Sequence, residues 1–335
     1  MSVLIRFELS KIIKSKLFIF FIILIIAVMA GYIMSEYRDV KAFRDNPGYQ
    51  QEVMSWEERE LNTIKFGTQS LNEDYWLTDL QRDQITRRIA IAQYRLDNNI
   101  PKDVYKNVWW FFNDRSFNTS SMVVLVMIII ISGLCIAGEY RGDTIRQVLL
   151  LPYNRWRILL SKIAACAVSG LILYGIVIVT GILSGFILHG TDRIDAQTVL
   201  YFRDTITTMK MSTYSIIIVL LKLVEILFYI IFSVFICVIS RNAAISIVIC
   251  SFTGVFSTVF GNFISEYYKF IRYLPFLNID FRKFLDFGTV LWQSETGFNS
   301  IVYENITAVK SVSIYLISVI LMLALSFMIF RKQDQ

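Results

Sequence analysis

Long apolar stretches separated by polar segments dominate this chain of 335 residues. A helix needs about 20 apolar residues to cross the hydrocarbon core of a bilayer. Six stretches are long enough, and they lie at about 17–35, 119–138, 163–189, 214–239, 243–263 and 311–330. The pattern therefore predicts an all-α polytopic membrane protein with six transmembrane helices.

Composition supports this prediction and excludes a water-soluble fold. Hydrophobic residues make up 55% of the chain and charged residues only 18%, whereas soluble domains carry about 25% charged residues. The single histidine, His189, and four scattered cysteines exclude most histidine-based catalysis, zinc clusters and disulfide scaffolds. The cysteines all fall in predicted spans, at Cys135, Cys166, Cys237 and Cys250.

Basic residues next to the spans predict the orientation, because Lys and Arg in short loops stay in the cytoplasm. With both termini inside, the inner segments carry 12 Lys and Arg against 4 Asp and Glu, and the outer segments carry 20 against 22. The net charge of +6 is then a topology signal and requires no nucleic-acid partner. We expect a multi-pass protein of the plasma membrane with cytoplasmic termini, and the cysteine-free exterior favours a bacterium.

The first domain, 1–35, combines the first span with a basic start. In residues 1–16 the apolar side chains alternate with Arg6, Lys11 and Lys14. This pattern is typical of a helix that lies at the inner membrane surface. Ordinary flanking charge beside a span explains it equally well, and membrane lipids are the partner in both interpretations.

A second domain, 36–118, is predicted to be an external helical hairpin inserted between spans one and two. Apolar positions recur every three to five residues over 73–96, which indicates an amphipathic helix that stops at 98–101, Asn-Asn-Ile-Pro. An earlier helix over 48–65 would pair with it across a turn at 66–72. The hairpin is either a spacer or a lid that recognises a ligand.

The remaining chain, 119–335, forms the predicted membrane domain, and aromatic residues mark its borders. Trp109, Trp110, Phe111 and Phe112 precede the second span, as in an interfacial aromatic belt. The segment 264–310 interleaves apolar and basic residues, which predicts short amphipathic helices broken at Pro275 that dip into the outer leaflet.

The loop 139–162, between spans two and three, has the most informative pattern. Asp143 or Thr144 can cap a short apolar helix that Pro152 ends, and Arg155 follows. A basic amphipathic loop of this kind rests on anionic lipid or docks into a groove of a cytoplasmic protein.

This loop resembles that of permease subunits in ABC transporters of the type 2 exporter family. The family pattern runs from an acidic residue through glycine and threonine to a hydrophobic helix, a proline, an arginine and a lysine. Matching positions here are Glu139, Thr144, Pro152, Arg155 and Lys162, although Asp143 stands where the family usually has glycine. The six spans and the surface helix are similar to that family too.

The resemblance implies a division of labour between subunits. The loop would be a coupling helix seated on a separate cytoplasmic ATPase, and its contact residues would be Glu139, Arg141, Thr144, Ile145, Arg146, Leu149, Pro152 and Arg155. No G-x-x-x-x-G-K-[ST] phosphate loop occurs in the sequence, so ATP and Mg would be bound by the partner and this chain would not be an enzyme itself. Two permease copies, or two related permeases, would form a dimer that exports an apolar or amphipathic peptide, lipid or drug.

Lys222 and Glu225 are the charges inside a predicted span. Three residues apart on a helix, they share a face and can pair. They lie either in the translocation path or dimer seam, or near a span end where Lys222 reaches the headgroups. Small residues of the third span predict close helix packing, and they are Ser169, Gly170, Gly175, Gly181, Ser184 and Gly185.

Two other classes of protein fit the sequence less well. A membrane sensor or immunity protein would bind a peptide through its external hairpin, but it would need a partner for its output. An intramembrane enzyme would need a catalytic constellation, and neither a His pair nor paired Asp residues in neighbouring spans occur.

Overall fold

Helices form almost all of the structure, apart from one two-stranded hairpin. The computed structural model describes residues 2–45, 55–73, 77, 79–100, 107–141, 154–191, 194–202, 205–259, 268–284 and 307–332. Its helices are α1 (Ser2–Ile13), α2 (Lys16–Asp45), α3 (Trp56–Glu73), α4 (Asp79–Asp97), α5 (Trp110–Asn113), α6 (Arg115–Arg141), α7 (Arg155–His189), α8 (Met211–Ser240), α9 (Ala243–Val259) and α10 (Ala308–Lys332). The strands are β1 (Gln197–Phe202) and β2 (Thr205–Lys210), which pair antiparallel.

Five of these helices are long and apolar enough to cross a bilayer. The candidate spans are Lys16–Ala42, Ser116–Gly138, Arg155–His189, Met211–Ser240 and Ala308–Arg331, in α2, α6, α7, α8 and α10. They coincide with five of the six predicted segments. The chain is thus an all-α polytopic membrane protein, as its hydropathy predicts. The fifth predicted segment, 243–263, corresponds to α9, which is a shorter apolar helix.

The bundle is built around α6, α7 and α8, which pack against one another. α2 covers α6 and α7, whereas α9 and α10 pack on α8. α1 contacts the beginning of α7, where Glu8 meets Lys162, and we call this the proximal end of the bundle. At the distal end, Glu36 of α2 lies 3.4 Å from His189 at the end of α7.

Small residues let α7 approach its neighbours, as the sequence predicts, except at Gly175, where nothing lies within 4 Å of an added Cβ. A Cβ added at Gly170 would lie 3.0 Å from the Ile128 side chain of α6. One added at Gly181 would overlap the ring of Phe111. Ser169 and Ser184 of the predicted set are fully buried on the same helix. Close contact of this kind supplies dispersion energy, which is the main attraction between helices where lipid removes the hydrophobic effect.

Two of the four rings in the aromatic run 109–112 are buried inside the protein and do not form an interfacial belt. Phe111 and Phe112 are buried at 1% and 3% exposure, so the belt prediction is wrong for both. The cause is local, because α5 ends at Asn113 and the extended backbone of Asp114 separates it from α6. The short helix therefore turns its rings into the space that Gly181 leaves open.

Helices α3 and α4 pack against each other, but the turn between them is later than predicted. Ser55 and Glu58 form a capping box, in which the Glu58 backbone N–H donates to Ser55 Oγ at 3.1 Å. This cap starts α3 at Trp56, and the helix then continues through the expected turn at 66–72 to Glu73. Gly67, which lies within the predicted turn, instead lets the side chain of Ile89 approach α3.

The end of α4 agrees with the sequence. Asn99 has a left-handed backbone (φ 51°), a conformation that asparagine tolerates, and the helix stops at Asp97. Within the pair of helices, Arg95 binds Glu60 at 3.1 Å with both side chains buried. This ion pair fixes the rotation of α4 against α3.

The hairpin β1–β2 has no counterpart in the sequence prediction. It follows α7 and leads directly into α8, because the Met211 backbone N–H donates to the Ala196 carbonyl at 2.8 Å. Val199 and Leu200 of β1 are buried, and β1 contacts α4. The hairpin therefore connects the α3–α4 pair to the distal end of the membrane bundle.

Replacement of Gly185 by alanine is expected to destabilise the bundle. The new Cβ would overlap the backbone carbonyl of Val108 and lie 2.9 Å from its Cα, and backbone atoms cannot rotate away. Overpacking of this kind costs about 1–3 kcal/mol. Gly175→Ala is the matched control on the same helix, because nothing lies within 4 Å of its added Cβ. Thermal unfolding in detergent should show a lower midpoint for Gly185→Ala only, and equal midpoints would contradict this packing.

Candidate functional site: a buried charge cluster

The two charges of α8 form a buried ion pair. Lys222 Nζ lies 2.6 Å from Glu225 Oε2, and their side chains are 6% and 14% exposed. The prediction that this pair shares a helix face is confirmed. The alternative, in which Lys222 reaches out to the headgroups, is wrong because its side chain lies inside the bundle.

A second ion pair comes from the segment 268–284, which contains three short 3-10 helices: Lys269–Tyr273, Pro275–Leu277 and Phe281–Phe284. Arg282 Nε lies 2.8 Å from Asp280 Oδ1, and its Nη2 donates to Asp280 Oδ2 at 2.8 Å. Arg282 also donates to the side-chain carbonyl of Asn118 on α6. The guanidinium thus joins this segment to α6.

The two pairs act on each other electrostatically. Burial lowers the pKa of Arg282, but the adjacent charge of Asp280, its hydrogen bonds and the charge of Glu225 together raise this pKa above its ordinary value. Glu225 is therefore ion-paired with Lys222, and its charge also favours the charged form of Arg282. We call these four residues, Lys222, Glu225, Asp280 and Arg282, the charge cluster.

Asn278 anchors the same segment to α10. Its side chain is fully buried, its Nδ2 donates to the Arg272 and Leu274 carbonyls, and its Oδ1 accepts from Ser311 at 2.9 Å. The prediction of short helices broken at Pro275 is confirmed for the described part of the segment. However, residues 277–279 are buried in protein, so this portion does not expose its side chains to lipid as expected.

The cluster places four formal charges of zero sum between α6, α8 and the 268–284 segment. Charges at membrane depth are costly unless paired, and paired ones usually mark a bundle interior or a solute pathway. No group of residues suited to bind a metal occurs in the part of the chain that the structure describes. The cluster can therefore hold helices together, or separate transiently to expose polar groups.

Another buried ion pair lies at the proximal end. Glu8 Oε1 of α1 lies 2.8 Å from Lys162 Nζ of α7, with the two side chains 7% and 1% exposed. One turn along α7, Cys166 interacts with Cys135 of α6, and none of the four cysteines forms a disulfide bond. No sequence signal indicates the Glu8 contact, because its partner is 154 residues away.

The predicted coupling residues are placed only in part. Thr144, Ile145, Arg146, Leu149 and Pro152 lie in 142–153, outside the described residues. Glu139 and Arg141 belong to the last turn of α6. Arg155 begins α7, and its Nη1 donates to the Arg331 carbonyl of α10 at 2.8 Å.

Taken together, the apolar helices and the paired buried charges define a multi-pass helical membrane protein. The chain belongs to the family described as "Protein of unknown function (DUF2705)", whose model matches residues 83–335. That range includes α6 to α10 and the whole charge cluster. The chain is also 29% identical over 266 residues to the uncharacterized protein YhcI of Bacillus subtilis (strain 168), a match that covers 79% of each chain.

Substitutions in the α8 pair are expected to be non-additive. Removing one member of a buried ion pair costs about 3–5 kcal/mol, whereas replacing both by apolar residues is often nearly neutral. Glu225→Leu should be worse than Lys222→Leu, because Glu225 pairs with Lys222 and also favours the charged form of Arg282. The double leucine variant should be more stable than Glu225→Leu alone, as measured by thermal unfolding in detergent.

A matched control for this series is the exposed pair of Lys210 and Asp195, at 63% and 78% exposure. Lys210→Leu should change stability by less than about 1 kcal/mol, as surface ion pairs contribute little. Simple additivity of the two α8 substitutions would contradict the proposed coupling within the cluster.

Proposed function

We propose that this chain is the membrane-spanning permease subunit of an ATP-driven exporter of the ABC type. The observation that carries the proposal is the loop 139–162, whose sequence resembles the coupling helix of type 2 exporter permeases. It would connect α6 and α7, two of the three central helices of the bundle. A separate ATPase would bind ATP and Mg and would drive the permease through this loop.

Contacts at the proximal end support a mechanical role for the loop. α7 begins within the predicted loop, at Arg155, and its first turns bind α10 through Arg155 and α1 through Lys162. A displacement of the loop by a partner would therefore move α7 together with α1 and α10. Rigid helices with buried charged contacts transmit such a displacement better than flexible segments.

The charge cluster supports a transport role at the other end of the same helices. Arg282 joins the 268–284 segment to α6, and its charge interacts with Glu225, which is paired with Lys222 on α8. In the exporter, separation of the 268–284 segment from α6 and α8 would open a path between them, and their association would close it. The cargo class we infer is apolar or amphipathic, since the surfaces of the spans are apolar.

The orientation and the sixth span are parts of this proposal. α9 has 17 residues and a length of about 26 Å, close to the roughly 30 Å of a hydrocarbon core. With a sixth crossing over 243–263, both termini lie on the cytoplasmic side, where basic residues are concentrated. The α3–α4 pair then lies outside the cell as a helical hairpin inserted between spans one and two.

Cysteine labelling tests the sixth crossing. Ala244→Cys lies in the first turn of α9 and Tyr268→Cys follows the predicted crossing, and both positions are exposed. In a Cys135→Ser background, an impermeant maleimide added to intact cells should label Tyr268→Cys and not Ala244→Cys. Asn154→Cys, at an exposed position of the predicted cytoplasmic loop, serves as the cytoplasmic control. Labelling of both tested positions from outside would contradict a sixth span.

Co-purification tests the exporter. The tagged chain, extracted in mild detergent, should retain a protein that carries a phosphate loop, together with Mg-dependent ATP hydrolysis. Ile145→Asp combined with Leu149→Asp removes the apolar face of the coupling helix and should lower the retained activity by roughly tenfold or more, since buried apolar anchors dominate interface affinity.

The matched control places the same changes on α3. Leu61→Asp combined with Phe66→Asp alters two apolar side chains that are 56% and 61% exposed, and it should leave the complex intact. If the wild-type chain retains no ATPase and the loop variant behaves as wild type, the exporter assignment is wrong. In that case a sensor that uses its hairpin would become the better interpretation.

A further inference from the structure

Helix α1 has two faces with different surroundings. Glu8 and Ile12, four residues apart, are buried, and Glu8 binds Lys162 of α7. On the opposite face, Val3 and Phe7 are 69% and 67% exposed. Because residues four apart share a helix face, the Glu8–Lys162 pair sets the rotation that turns Val3 and Phe7 away from the bundle.

A tight turn holds α1 close to the membrane surface. α1 ends at Ile13, and the apolar span of α2 begins at Lys16. Between them, Ser15 Oγ donates to the Ile12 carbonyl at 2.7 Å and accepts from the Phe18 backbone N–H at 3.1 Å. Only two residues separate α1 from a membrane-spanning helix, so α1 lies at the boundary between bilayer and water.

The charged residues exposed on and beside α1 are all basic. Arg6, Lys11 and Lys14 are exposed, and Lys16 follows at the start of α2. Glu8 is the acidic residue of this helix, and Lys162 neutralises it within the protein. No carboxylate of α1 therefore offsets the basic charges that point outward.

We propose that this face of α1 is a docking surface for the anionic phospholipids of the bilayer. Phe7 and Val3 insert at the level of the upper acyl chains, and Arg6, Lys11, Lys14 and Lys16 contact the phosphates of the headgroups. Basic amphipathic helices bind membranes through this combination of apolar burial and attraction to anionic lipid. The inference does not depend on the exporter assignment.

A bilayer fits this surface better than a protein partner does. The bilayer surrounds the apolar span of α2, and α1 ends two residues before α2 begins. The apolar side chains stand at the centre of the face, one turn apart, with the basic residues around them. This order places apolar groups deepest and charges at headgroup level, which is the arrangement that an anionic lipid surface requires.

The test uses the full chain with a spin label at Val3→Cys in the Cys135→Ser background, reconstituted in lipid nanodiscs. One set of discs contains phosphatidylcholine alone, and the other contains phosphatidylcholine with a minor fraction of phosphatidylglycerol. Collisions of the label with a water-soluble nickel chelate report its exposure. We expect the label to be protected in the discs that contain phosphatidylglycerol.

Charge removal should reverse this protection. Arg6→Gln, Lys11→Gln and Lys14→Gln together should shift the ratio of docked to free helix towards the free form, by about fivefold for each basic residue removed. High salt should have the same direction of effect, because it shortens the Debye length from about 10 Å at 0.1 M to about 3 Å at 1 M. The buried Glu8–Lys162 pair is untouched, so the variant retains its attachment to α7.

The matched control removes three lysines of the distal part, with Lys41→Gln, Lys65→Gln and Lys210→Gln, all at exposed positions. It changes net charge equally and should leave the label protected. Equal nickel exposure in both lipid compositions would overturn the proposal. So would a triple α1 variant whose label stays protected but which loses a co-purified protein, because the surface would then belong to a protein partner.

Discussion

Charged side chains inside a membrane bundle must be paired, and this constraint organises the distal half of the structure. Lys222 and Glu225 compensate each other on α8, and Arg282 and Asp280 do so on the 268–284 segment. Glu225 also acts on Arg282, which links the two pairs. A non-helical backbone is tolerated at membrane depth only when protein surrounds it. The cluster and the buried Asn278 provide such surroundings, and they attach this segment to α6, α8 and α10.

The same constraint operates at the proximal end and gives α7 a special position. Lys162 binds Glu8 there, while small residues further along α7 admit α6 and the rings of α5. One helix therefore connects the surface helix α1, the predicted coupling loop and the distal packing. In the proposed exporter, a partner that moves the loop would move this helix first. Energy supplied at one membrane surface could then reach the charge cluster near the other.

Hydropathy alone predicted the helical membrane class and five span-long helices, because the cost of burying polar groups in lipid acts on every residue. Local signals also succeeded: the i, i+3 spacing of Lys222 and Glu225 predicted their pairing, and the asparagines after Asp97 predicted the end of α4. Gly67 was misread as part of a turn because a glycine that permits close packing looks the same in a sequence as one that permits a bend. The capping box at Ser55 and Glu58 was a sequence signal that could have placed the start of α3 at Trp56.

The contacts that sequence reasoning missed join residues far apart along the chain. Arg282 meets Asn118 across 164 positions and Glu8 meets Lys162 across 154, so no periodicity could reveal them. The hairpin β1–β2 was overlooked because each strand has only six residues and no strongly apolar period.

The central claim is that this chain provides a pathway whose energy comes from another subunit. Native mass spectrometry of the complex, released from mild detergent, measures its composition most directly. For the proposed exporter we expect two permease chains, identical or related, with two copies of an ATPase. A chain that is always released alone, under conditions in which its fold survives, would contradict it.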